Sequence, residues 1–345
     1  MKIKKIVPMN RDATGYKFVI LSLKKFVILS HLAKNLVFIL IFAVSLSQAA
    51  TTGTAGATFL KLNISARPQA LSESFSALAN DVSAIEFNPA GLIRLNKTEI
   101  GLTQVNWYND ITIQNISFGK SFSNRHAIGF SCVLLQTEDY IRTLSETDTA
   151  SEIVTGDKII LNDSALSLCY AYNFKEQYYL SPVQENANLG ITVKYISEKL
   201  YKTENSAVAG DIGLLFGPDR GNNYYAVAVQ NIGSNIGTDI LPTTVRLGTA
   251  YNGGNYTIST EVSQRIDSPW RINLGIEATI VTGFLLRLGS FYQSGKFNFN
   301  AGLGLDTNPQ SVLPAKAGIS LCIDYAYTPH EYLNTMHRFS LTVKF

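Results

Sequence analysis

Residues 271–280 read RINLGIEATI, and their order decides the fold. Ile272, Leu274, Ile276, Ala278 and Ile280 share one parity, while Arg271, Asn273, Gly275, Glu277 and Thr279 share the other. A β-strand sends successive side chains to opposite faces, whereas a helix places neighbours three or four residues apart on one face. The stretch is therefore a strand with one apolar and one polar face. The same alternation sets Leu189, Ile191, Val193 and Tyr195 against Thr192 and Lys194. It sets Phe297, Phe299, Ala301, Leu303 and Leu305 against Asn298, Asn300 and Asp306. Near the end it sets Ile319, Leu321, Ile323, Tyr325 and Tyr327 against Ser320, Cys322 and Asp324.

Carried along the chain, the pattern predicts about fourteen strands. They span 98–106, 111–120, 125–136, 164–174, 186–199, 206–217, 223–232, 243–252, 255–264, 270–280, 284–293, 296–306, 315–327 and 336–345. Strands of soluble proteins average about 5–6 residues, while those crossing an outer membrane need about 9–11. Length therefore favours an all-β, transmembrane antiparallel β-barrel over a soluble sandwich. Turns rich in Gly, Asn and Pro at 218–222, 252–255, 281–283 and 294–295 suit an up-and-down meander. A Lys or Arg on the lipid face at mid-membrane costs about 2–4 kcal/mol. Arg246, Glu261, Arg271, Glu277, Arg287 and Asp324 all take the polar parity, so they are expected to face the lumen as structural ladders of paired charge. Phe339, Leu341, Val343 and Phe345 alternate with Ser340, Thr342 and Lys344 up to the last residue. This resembles the C-terminal signal that outer-membrane barrels present to the barrel-assembly machinery.

Composition agrees. Of 345 residues, 46% are hydrophobic and 16% charged, with a mean hydropathy of +0.08. A soluble domain carries about 25% charge, yet the hydropathy is too low for a bundle of membrane helices. Low charge and 11% aromatic residues exclude disorder. Cys132, Cys169 and Cys322 form no CxxC and no disulfide framework, so they are expected as small strand residues.

The formal charge of +3 belongs to the N-terminus. Residues 1–49 hold eight Lys or Arg against Asp12 alone, a balance of +7 that leaves −4 for the rest. The basic excess is thus no argument for nucleic-acid binding. Leu36–Leu46 is eleven nearly all-apolar residues, followed by Ser47-Gln48-Ala49. A basic region, a short apolar run and a small-x-small site make a secretory signal peptide. Cleavage is expected after Ala49, with Ala50 as the near alternative. Residues 1–49 are thus expected as leader, 50–97 as an N-terminal hatch, and 98–345 as the barrel. The hatch expectation rests on the apolar residues Phe59, Leu60, Leu62, Ile64, Phe75, Leu78, Ile85 and Phe87, which call for packing; a periplasmic tail is the alternative. Fourteen strands leave a pore unless something fills it, and the hatch is placed in the barrel mouth.

Here the residues carry a resemblance. Gly53–Leu62, Ala66-Arg67, Phe75–Asp81 and the box Asn88-Pro89-Ala90-Gly91-Leu92 look like the PorV/PorQ family. So do Leu189–Tyr195, Val229–Gly233, Leu241–Gly248, Gly302–Leu305, Asp324–Tyr327 and His337-Arg338. That family belongs to the wider FadL-like superfamily of outer-membrane barrels. The resemblance implies fourteen strands with an N-terminal hatch in the outer membrane of a Gram-negative-type bacterium. It also implies a non-enzymatic, partner-binding component of type IX-like protein secretion or surface attachment, with an exported cargo protein as partner. The alternative is a FadL-like transporter of hydrophobic solutes. That reading predicts an apolar lumen pocket beside Asn88–Leu92 and an interrupted strand, for which Gly129 is a candidate. Outer-membrane lipid is a partner in either case.

With hatch and C-terminus in the periplasm, the connection 137–163 lies outside the cell. It holds seven acids and two bases and is expected as a solvated acidic loop. Loop 232–242, with Asn235, is the other outer candidate. No nucleophile elbow, phosphate loop, zinc-binding HExxH or Cys/His cluster is present. No enzyme, cofactor, metal or nucleic-acid partner is expected.

Overall fold

The computed structural model describes residues 53–345 apart from 108–110, 124, 138–139, 145–153, 160, 175–184, 219–221, 308–317 and 330–334. The leader at 1–49, part of the acidic connection and His330 lie outside the described residues. The remainder belongs to one compact unit, Ala50–Phe345.

Fourteen antiparallel strands close into a barrel. In chain order the strands are β1 (Glu99–Asn106), β2 (Thr112–Phe122), β3 (His126–Gln136), β4 (Tyr140–Leu144), β5 (Val154–Ile159) and β6 (Leu161–Asn173). They continue as β7 (Glu185–Leu200), β8 (Thr203–Pro218), β9 (Asn223–Gly233), β10 (Thr244–Asn252) and β11 (Tyr256–Arg265). The last are β12 (Arg271–Val281), β13 (Phe284–Gln293), β14 (Lys296–Asp306), β15 (Ser320–Thr328) and β16 (Met336–Lys344). Each barrel strand pairs with its neighbour in sequence, except that β3 pairs β6. β4 and β5 form a separate hairpin inside the connection read above as a plain loop. The seam joins β1 to β16 over Glu99↔Lys344 through Asn106↔His337.

Parity does the sorting. In β12 the inward set Arg271, Asn273, Gly275 and Glu277 is buried and the outward set Ile272, Leu274 and Ile276 exposed. Leu168, Val193, Leu288 and Phe299 leave more than half of their surface outside the protein. An apolar belt this continuous is stable against hydrocarbon and not against water. Cys132, Cys169 and Cys322 sit in β3, β6 and β15 as free thiols.

Two irregularities matter. In β9, Gln230 and Asn231 together oppose Asp211, with Asn231 at φ 57° and the register slipping between Gly210 and Ile212. This bulge turns two consecutive polar side chains inward, where one would ordinarily face lipid. Gly129, read above as a candidate interruption, sits in unbroken pairing with Gly119 on one side and Cys169 on the other. It leaves the wall closed, and its meaning lies in what faces it.

Residues 53–97 do not sit in one mouth of the barrel, which corrects the expectation. Gly53 N–H donates to the Asp267 carbonyl and Gly56 N–H to the Ile240 carbonyl, in the connections at the end away from the C-terminus. Thr98 exchanges backbone hydrogen bonds with Phe345 at the other end. Between these points the segment runs the height of the lumen. It uses short turns, 3-10 at 58–61 and 89–94 and α-helical at 66–70 and 84–87. With too few residues per turn to stand as helices alone, these pieces are held by the wall.

Because Leu274 faces hydrocarbon, Leu274→Lys should lower unfolding free energy by about 2–4 kcal/mol, read as a shifted urea midpoint in a gel-mobility assay. Equal stability of the variant and wild type would contradict the assigned facing.

Candidate functional site

The site is the interface between the inner wall and residues 53–97. Its floor plan is set by glycines that meet across strands. Gly190 and Gly213 are cross-strand partners, as are Gly119 and Gly129, and Gly275 and Gly289. A Cβ on Gly213 would lie 2.0 Å from Asn88 Oδ1, and one on Gly190 would lie 2.2 Å from the Ala90 nitrogen. The other two pairs receive Leu92 and Ile85, and Leu71 and Ser72. Each pair is a notch two residues wide, open because no side chain fills it.

The Asn88–Leu92 box docks in the Gly190/Gly213 notch. Asn88 is fully buried. Its amide donates to the carbonyls of Ser76 and Leu214, both at 3.1 Å, and its Oδ1 accepts from Ala90 N–H at 3.1 Å. Pro89 follows at the first turn position, where its missing N–H costs nothing. Gly91 permits the chain to press on Ala79, 2.6 Å from where a Cβ would stand. From the wall, Gln230 of the β9 bulge donates to the carbonyls of Glu86 and Phe87.

Charge binds the rest. Glu73 of the segment meets Arg271 at 3.0 Å and Arg246 and Arg265 at 3.3 Å each. Arg246 also holds Glu261 at 2.7 Å. Arg67 of the segment forks onto Glu277 with both contacts at 2.9 Å and reaches Asp81. Glu277 is shared with Arg287, which bonds Asp324 at 2.6 Å. The six wall charges Arg246, Glu261, Arg271, Glu277, Arg287 and Asp324 thus form two clusters, each completed by an ion from the segment. Sequence parity carries no sign of those partners, since Arg67 and Glu73 lie on no alternating strand. Lys194 with Asp211 at 2.8 Å, Glu99 with Lys344, and Lys61 with Asp267 are further pairs that the alternation alone did not single out.

Burial would raise the Glu73 carboxyl, but Arg271, Arg265 and Arg246 overcome it and hold the group at about 2. Glu86, half-buried and without such a cluster, is pushed up by burial to about 7, against the pull of Lys194. Removing one partner from a buried pair costs about 3–5 kcal/mol, because the other charge stays behind unpaired.

The wall on β1–β3 and β6–β8 is mixed, with aliphatic residues beside buried polar groups such as Asn115, Ser131, Thr192 and the Lys194–Asp211 pair. Val105, Ile113, Val133, Leu135, Ala165, Ile196, Ala207 and Ala209 face inward on β1–β3 and β6–β8. They pack on Phe59, Ile64, Ile236 and Leu241, so the β9–β10 connection folds over the lumen end. Deeper, Phe75, Leu78, Val82, Ile85, Phe87 and Leu92 form a second cluster with Ala127, Ala171 and Leu215. Between the two faces lies a cavity of about 70 Å³, lined by Phe59, Phe87, Glu86, Lys194, Arg246 and Arg265 among others. An apolar cavity of about 150 Å³ accepts benzene, so this one admits waters at most as it stands. Among the described residues no group of three or more His, Cys, Asp or Glu could hold a metal ion.

Gly213→Val should displace the Asn88 box and open the lumen, read as raised single-channel conductance in planar bilayers; unchanged conductance would contradict the notch. The two carboxyls set opposite pH limits. Glu73, held below its ordinary 4.5, supports seating above that pH and loses its contribution toward about 2. Glu86, held above 4.5, favours seating below that pH and loses its contribution as pH rises through about 7. Protease protection of residues 53–97 should therefore peak near pH 4.5, with Glu86→Gln removing the alkaline decline. A flat profile would rule the linkage out.

Solved structures share this architecture. The Ralstonia pickettii toluene transporter TbuX is similar over 81% of this chain and 97% of its own, with TM-score 0.52 and 10% identity. The CymD monoaromatic hydrocarbon channel covers 81% and 96%, with TM-score 0.53 and 8% identity. A Pseudomonas aeruginosa FadL homologue covers 86% and 99%, with TM-score 0.50 and 11% identity. At such identities the likeness is one of fold alone, a closed fourteen-stranded barrel. The resemblance to PorV/PorQ is not supported at that finer level. The secretion-partner expectation drawn from it is overturned, since the matching barrels are hydrocarbon channels and a FadL homologue. In sequence, a UPF0164 protein of Treponema pallidum (strain Nichols) is 23% identical over 188 residues, which are 50% of this chain and 42% of that protein. The model of the Uncharacterised protein family (UPF0164) matches residues 42–343, and the chain belongs to that family.

Proposed function

We propose that the protein is a non-enzymatic channel for hydrophobic small molecules across the outer membrane, with residues 53–97 as its hatch. The carrying observation is the aliphatic cluster that Val105, Ile113, Val133, Leu135 and Ile196 of the inner wall form with Phe59 and Ile64 of the hatch. A barrel for hydrophilic solutes keeps a polar, water-filled interior. Here an aliphatic band of the interior packs against apolar residues of the hatch, beside buried polar groups of the wall. A hydrophobic solute gives up little by replacing one of those contacts with its own, whereas a sugar would lose hydration without recovering hydrogen bonds. The structural neighbours named as toluene and monoaromatic channels support the same reading. In it, solute enters where the β9–β10 connection meets Phe59 and moves along the aliphatic wall as the hatch yields. The charged clusters on β10–β15 anchor the other side.

Expressed in a Gram-negative host without a comparable channel, the protein should accelerate uptake of labelled toluene over an empty vector. It should leave the rate of sugar-driven vesicle swelling unchanged. Faster sugar flux with no gain for the hydrophobic probe would overturn the reading.

A further inference from the structure

Two connections grip the first residues of the hatch, and they grip by different means. From the β11–β12 connection, Asp267 accepts Gly53 N–H on its carbonyl at 3.2 Å and Ala55 N–H on its carboxylate at 3.3 Å. The same carboxylate, sealed from solvent, pairs with Lys61. From the β9–β10 connection, the Ile240 carbonyl accepts Gly56 N–H at 2.9 Å. Ile236 and Leu241 of that connection join Ala57 and Phe59 in one buried cluster. The first grip is ionic, and the second is a backbone hydrogen bond with apolar contact.

The tip of the β9–β10 connection is built as a unit. Ile236 and Asp239 exchange both backbone hydrogen bonds, at 2.9 and 3.0 Å, around Gly237 and Thr238, with Gly237 at φ 59°. Its seat on the hatch is Gly56. A Cβ there would stand 2.5 Å from Ile236 Cγ2 and 3.0 Å from Asp239 Cβ, so the tip rests on bare backbone. The stems on either side are fixed. Ser234 continues the ladder to Val208. Asn231 of the β9 bulge donates its amide to the Pro242 carbonyl at 3.4 Å and accepts the Thr243 hydroxyl on its own carbonyl at 3.0 Å. Asn231 is held in turn by Lys194 and Asp211, each at 2.8 Å.

We propose that residues 235–241 are a lid over the solute entrance, latched to Gly56 by Ile236, and that the lid lifts while Asp267 keeps the hatch in place. This deepens the channel reading and rests on it. The ground is the difference between the two grips. Lifting the tip breaks one hydrogen bond, whose two halves water can satisfy, and uncovers Ile236, whose apolar contact a hydrophobic solute replaces. Releasing Asp267 would instead strand a buried carboxylate without its ammonium partner. Beneath the latch lies the route. Phe59 and Ile64 share the cluster of Ile236 and also line the cavity, so a raised tip leads from the entrance to that space.

The test locks the lid. Gly56→Cys combined with Asp239→Cys in the full chain brings two Cβ atoms within reach of a disulfide, which spans about 3.5–4.5 Å between them. Uptake of labelled toluene by Gram-negative cells expressing this variant should fall to the empty-vector rate on oxidation and recover with a reductant. Wild-type protein, with its three native thiols, supplies the baseline for the oxidant. Mass spectrometry confirms the cross-link. A cross-linked variant that transports at its reduced rate overturns the lid and leaves the channel reading intact. Wild-type uptake no faster than the vector removes the channel reading and this inference with it. In wild-type protein in micelles, the Gly56 amide should be less protected from hydrogen exchange than the Ala55 amide, because Ile240 leaves and Asp267 stays. Equal or stronger protection at Gly56 overturns the lid even where the cysteine variant does not fold.

Discussion

A fourteen-stranded wall encloses more space than its own side chains can fill, and this one is filled by the chain itself. Everything inside follows from that constraint. The filler is 45 residues with no long helix, so its backbone and its charges must find partners on the wall. Where it presses closest the wall has glycine opposite glycine. At Glu73 and Arg67 the wall supplies the opposite charge. The outer surface answers only to hydrocarbon and is correspondingly simple.

The two sides of the lumen solve the filling problem differently. On β10–β15 it is settled by ions: Glu73 enters a cluster rich in arginine, and Arg67 one rich in carboxylate. On β1–β3 and β6–β8 two apolar clusters, from Phe59 at one end to Leu92 near the other, pack beside buried polar contacts such as Val82 N–H on Glu99. Ionic contacts are directional and costly to break, while aliphatic ones can be exchanged for similar surface with little change. A segment held in this way has a fixed side and a replaceable side.

The barrel was legible because lipid and lumen impose opposite demands on alternate residues. Strand β13 was placed at 284–293 and β14 at 296–306 by parity and by Ser294-Gly295 between them, and the structure has the same bounds. The lumen was legible only in part. Parity showed that Arg246 and Glu277 face inward, but not that Glu73 and Arg67 meet them, since those pairings span about two hundred residues. The notches were hidden for the same reason. Gly190 and Gly213 lie 23 residues apart and become one feature only through strand register. Gly129 was singled out for the wrong property, a break in the wall, when it forms one half of a socket. The bulge at Asn231 could have been suspected, because Gln230 and Asn231 are consecutive polar residues in an otherwise alternating strand.

The depth of the ion clusters sets which external variables can reach them. Screening by dissolved salt acts over a Debye length of about 8 Å at physiological ionic strength, and only where water carries the ions. Glu261, Glu277, Arg287 and Asp324 are nearly sealed from solvent. The wall side of the segment's grip is therefore screened by salt much less than a surface pair would be. A surface-charged gate would loosen as salt rose; the buried carboxylates of this one are largely shielded from that variable.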